Sequence, residues 1–173
     1  MSSSHLGTRY DTVPIPPLPE NTTWYDAGAV RLGIEYRHLT DDIVDAAFAA
    51  RPDEAAVVDA ARPALLDDEG WSLHVVDGAT DEEWLRFDMF DDGPHYHYIV
   101  PGQYNLSIDI DTNALGEPIP WALGAVRDRV ATMLRYAGNE DLAAKVDPDA
   151  VAAAIDQVDA HVRAGIPDTV ATA

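Results

Sequence analysis

Alternation of apolar and polar residues marks five stretches of this chain as strands. In Ala29–Leu39 (AVRLGIEYRHL), Val30, Leu32, Ile34 and Tyr36 share one face, and Arg31, Gly33, Glu35 and Arg37 share the other. That is the period-2 signature of a half-buried strand. The same alternation predicts strands over Trp71–Val76, Trp84–Phe90, His95–Val100 and Tyr104–Ile110. Their connections are short, and short connections imply antiparallel neighbours in a meander. Leu73, Val75, Leu85, Phe87, Met89, Tyr96, Tyr98, Val100, Leu106, Ile108 and Ile110 would form one apolar face. The opposite face would carry His74, Arg86, Asp88, His95, His97, Ser107 and Asp109, with Trp84 on it by parity.

Helical spacing takes over on both flanks. Thr40 reads as an N-cap, with Asp41 and Asp42 in the first turn and Ile43, Val44, Ala47 and Phe48 as the stripe. Pro52 suits the first position of a second helix, which Pro63 would disturb. Pro118-Ile119-Pro120 leads into a helix over Trp121–Ala137. Asp147-Pro148, an N-cap followed by a first-position proline, opens a last helix that ends at Gly165. These elements predict an α+β fold: a four- to five-stranded antiparallel meander with helices packed on its apolar face.

At 173 residues the chain suits one hydrophobic core rather than two. Residues 1–23, with Pro14, Pro16, Pro17 and Pro19, read as an extended arm, residues 24–165 as a single domain, and 166–173 as a flexible tail. No apolar run reaches the roughly 18 residues needed to cross a bilayer. The first residues carry neither a basic nor an apolar leader segment, so a cytoplasmic protein is expected. The formal net charge is -20, and such a field repels phosphate backbones and anionic lipid. Nucleic acid and membrane surfaces are therefore not expected partners, whereas cations are. There is no cysteine, so any metal must be held by histidine and carboxylate.

The chemistry concentrates in Trp84–Asp111. His95 and His97 are two apart on a predicted strand, so their imidazoles point the same way, roughly 7 Å apart at the backbone. If Asp91–Pro94 is a four-residue hairpin loop, Phe90 pairs with His95 and Asp88 with His97. Two imidazoles and a carboxylate form the ligand set of non-haem iron and catalytic zinc sites, so His95, His97 and Asp88 are the candidate ligands of a divalent metal, Zn or Fe. Without metal, Asp88 and His97 would serve as an oriented acid/base pair. Asp109 is the candidate base, and Arg86 either binds a substrate carboxylate or neutralises Asp88 in a surface pair. Asp109-x-Asp111-x-Asn113 begins like a calcium loop, but Ala114 stands where that loop needs glycine, and nucleotide-phosphate motifs are absent. The expected function is a small-molecule enzyme, a hydrolase, lyase or isomerase. The rival expectation is a non-catalytic protein whose polar face and proline arm build a homodimer or dock a partner.

Overall fold

The structure is a computed structural model that describes residues 6–59 and 65–166, the side chain of Val57 excepted. The expected break at Pro63 and nearly all of the C-terminal tail lie outside those residues. The fold is α+β. Its sheet has seven strands, all antiparallel: β1 (Thr8–Tyr10), β2 (Thr23–Ala27), β3 (Val30–Thr40), β4 (Asp67–Asp77), β5 (Glu83–Phe90), β6 (His95–Val100) and β7 (Tyr104–Asp109). Their order across the sheet is β1-β7-β6-β5-β4-β3-β2.

The expected four to five strands become seven because both edges were missed. β1 is a three-residue edge strand held to β7 by backbone pairing, so its side chains carry no burial pattern to read. β2 and β3 form a hairpin in which Ala27 pairs with Val30, leaving Gly28 and Ala29 as the loop. Gly28 sits at φ 75°, the positive value a type II′ turn requires of its first loop residue.

Among the described residues six helices complete the fold: α1 (Asp41–Phe48), α2 (Pro52–Asp59), α3 (Thr112–Leu115), α4 (Pro118–Tyr136), α5 (Glu140–Ala143) and α6 (Pro148–Ala164). α6 starts as its sequence dictates, with the Asp147 carboxylate accepting from the Asp149 and Ala150 amides and Pro148 in the first turn. α4 and α6 bury Val126, Val130, Leu134, Val151, Ile155 and Val158 against the apolar sheet face of Leu32, Ile34, Leu73, Val75, Leu85 and Phe87. That is the main core.

Helices on the apolar face alone do not describe the molecule. The other face is covered as well, by residues 12–18 of the proline arm and by Val44, Phe48 and Val58 from α1 and α2. Polar side chains on that face are consequently enclosed: Glu35, Ser72, His74, Arg86, Asp88, His97 and Asn105 are all buried. No helix among the described residues is long and apolar enough to cross a membrane.

Candidate metal centre

Asp88 sits on β5, and His95 and His97 on β6, with their side chains on the enclosed polar face. The strand register differs from the expected one: Asp88 pairs with His95 and Arg86 with His97. Pro94 has no amide to contribute to a ladder, so β6 begins only at His95. β5 runs on past it, pairing Met89 and Phe90 with Trp71 and Gly70 of β4. The Asp68 carboxylate then anchors the connection, accepting from the Asp92 amide at 3.1 Å and the Gly93 amide at 2.9 Å. The shift places Asp88 beside both histidines. Its Oδ2 lies 3.5 Å from His95 Nε2 and 3.2 Å from His97 Nε2, and one ligand atom from each residue falls within 4.8 Å of the other two.

The remaining ring nitrogens fix the tautomers. His95 Nδ1 lies 2.7 Å from the Gly93 carbonyl, which can only accept, so Nδ1 carries the proton. His97 Nδ1 lies 2.9 Å from Asn105 Oδ1. The orientation of that amide is set in turn, because Asn105 Nδ2 donates to the Thr12 carbonyl at 2.8 Å. His97 Nδ1 is therefore also the protonated nitrogen. Each ring turns its Nε2 toward Asp88. On its other oxygen Asp88 accepts from Ser72 Oγ at 2.5 Å.

Burial works to raise the Asp88 carboxyl, but its contact with His97 and the Arg86 charge outweigh that, and it lies well below the usual carboxylate range. Burial pushes the His97 imidazole below its ordinary value, with Asp88 only partly opposing. The Asp88 carboxylate and the two Nε2 atoms thus converge on one small space.

A second buried network lies alongside. His74, fully buried, meets Glu83 Oε1 through Nδ1 at 2.6 Å and Glu35 Oε1 through Nε2 at 3.0 Å. Glu83 also takes Arg86 Nε at 2.9 Å and Nη2 at 2.6 Å. Arg86 is therefore a buried partner of Glu83 rather than half of a surface pair with Asp88. Burial alone would raise the Glu83 carboxyl, yet Arg86 and His74 bring it down to about 2. A bulge in β5 makes this contact: pairing slips between Val75 and Val76, so Glu83 turns toward Arg86 while Trp84 packs against the apolar core. The expected place of Trp84 on the polar face is corrected accordingly. Arg37 donates to Glu35 and to the Ile15 and Pro16 carbonyls, and Glu35 accepts from the Leu18 amide at 3.1 Å, so the network also fastens the arm.

Between arm and sheet is a cavity of about 410 Å³. Arg86, Asp88, His95, His97 and Asn105 line its floor, and Val13, Ile15, Val44 and Phe48 line its outer wall. Asp109 pairs with His95 and lines the same cavity, but it is exposed and stands outside the group of three. Ser72, Asn105, Glu83 and Thr12 were missed as contributors. Nothing local marks them, since each acts through a partner elsewhere in the chain.

A family model described as "Domain of unknown function (DUF7700)" matches residues 24–162. That span includes Glu35, Arg37, Ser72, His74, Glu83, Arg86, Asp88, His95, His97 and Asn105 and leaves β1 and the arm outside it. No curated protein and no solved structure matches the chain.

Proposed function

The chain belongs to the DUF7700 family, and from its own residues we propose that it is a metal-assisted enzyme acting on a small molecule, with Asp88, His95 and His97 holding one divalent ion, Zn or Fe. The observation that carries this reading is the pair of fixed tautomers. Metal-ligating histidines characteristically donate their second nitrogen to a carbonyl or carboxylate, and ligating carboxylates are themselves hydrogen-bonded. Here Gly93, Asn105 and Ser72 fill those three roles. Three protein ligands leave coordination positions open toward the cavity, where an ion would polarise a substrate oxygen or lower the pKa of a bound water. Asp109, which lines the same cavity, is the base in this reading.

The test is elemental analysis of protein purified without a histidine tag. Wild type should carry close to one equivalent of metal and melt at a lower temperature in EDTA. The His95→Ala/His97→Ala double variant should carry none and ignore EDTA. Sub-stoichiometric metal in both, with EDTA leaving the wild-type melting temperature unchanged, would sink the reading. The rival reading, a homodimer or docking protein built on the arm, has its own measurement: removal of residues 1–23 should then change the sedimentation mass. Against it stands the arm's use within its own chain, where Val13, Pro14 and Ile15 wall the cavity.

A further inference from the structure

The cavity is chemically polarised. Its outer side is apolar, with Val13, Pro14, Ile15, Val44, Phe48 and Phe90, while its floor holds the metal-ligand group and, next to it, Arg86. Arg86 is only 1% exposed and yet lines the cavity. Glu83 grips it through Nε and Nη2, and the same carboxylate is shared with His74. On its own strand Arg86 lies two residues from Asp88, about 7 Å at the backbone. That separation is spanned by a few bonded atoms.

The charges beneath the cavity can be counted. Glu35, Glu83 and Asp88 are three carboxylates, and Arg37 and Arg86 are two guanidinium groups. His74 meets a carboxylate at each nitrogen, Glu83 through Nδ1 and Glu35 through Nε2. Asp68 and Asp109 line the cavity as well, and Arg37 and Arg86 are the guanidinium groups that face them. A divalent ion on Asp88, His95 and His97 would have Asp88 as its one charged ligand, which leaves a positive charge at its open positions beside Arg86. The acidic exterior, net -20, opposes an approaching anion. That field is screened beyond about 8 Å at physiological salt, whereas the buried charges are not.

We infer that the cavity receives a small organic acid, its carboxylate set between Arg86 and the metal and its apolar body under Val13, Ile15 and Phe48. The inference rests on the metal reading for the ion's share of the attraction; Arg86 supplies the rest.

Calorimetric titration of the full chain, zinc-loaded and EDTA-stripped, with phenylacetate and its uncharged isostere phenylacetamide tests it. Phenylacetate should bind the zinc-loaded protein at least about tenfold more tightly than the amide. Ile15→Trp, which fills the cavity and touches none of the charges, should abolish acid binding. Arg86→Gln should narrow the preference, but the comparison on wild type stands without it. Equal affinities, no binding of either compound at millimolar concentration, or acid binding undiminished in Ile15→Trp would each overturn the inference. The two readings fail separately. Protein that holds metal and shows no acid preference loses this inference alone, whereas protein that holds none and still prefers the acid loses only the metal centre.

Discussion

Asn105 shows how much of the centre depends on a single amide. It accepts from His97 Nδ1 and donates to the Thr12 carbonyl, so one side chain fixes the tautomer of a candidate ligand and pins the arm. Asn105→Leu keeps the side-chain size and removes both contacts. It should weaken metal binding by about 10- to 100-fold, the usual effect of losing such a supporting partner. Competition against a chromogenic chelator measures this, and the melting temperature of the variant in EDTA separates lost affinity from lost folding. An unchanged affinity would mean that the tautomer lock is not needed. Asp88, His95 and His97 were legible as a group because residue type and parity suffice to pick them. Asn105 was not, because its partner Thr12 is 93 residues away and local spacing says nothing about so distant a contact.

Among the elements, β5 and β6 decide the site. Apart from Trp84, their apolar positions were assigned to the correct face by alternation, and Phe87, fully buried, is stacked on Tyr96 at 5.8 Å and set edge-on to Trp121 at 6.1 Å. Phe87→Ala should cost about 3–5 kcal/mol in urea unfolding, since α4 cannot collapse into the space without leaving the rest of the sheet. A loss below about 1 kcal/mol would show that the sheet and α4 are only loosely packed there. The pairing between the two strands was misread by two residues, because a four-residue loop is indistinguishable by alternation from a six-residue connection: both keep every side chain on its face. The contact of Asp68 with the loop amides and the absence of an amide at Pro94 select the longer one.

Taken as a whole, the molecule covers both faces of an antiparallel sheet and buries charge under one of them. That arrangement ties stability to acid. The Glu83 carboxyl, down to about 2 in the fold against an ordinary value of 4.5, favours the folded state above pH 4.5 and loses that contribution as pH falls toward 2. The difference amounts to about 3 kcal/mol. Urea unfolding at a series of pH values should therefore show wild type losing stability between pH 4.5 and 2 more steeply than Glu83→Gln. Parallel slopes would show that Glu83 is not held by Arg86 and His74 in solution.

The α+β class, the inward and outward faces of the central strands, the caps of the last helix and the Asp88/His95/His97 group all follow from short-range periodicity, which is set by backbone geometry alone. What lay over the polar face did not follow. A row of Arg, Asp, His and Ser is equally the composition of a solvated face. Only long-range packing determined that residues 12–18 and α1 close over it, that Arg86 pairs with Glu83 across a bulge, and that Asp88, His95 and His97 converge beneath a cavity. Those contacts join segments far apart in sequence, and their energies arise from burial that no local stretch can report.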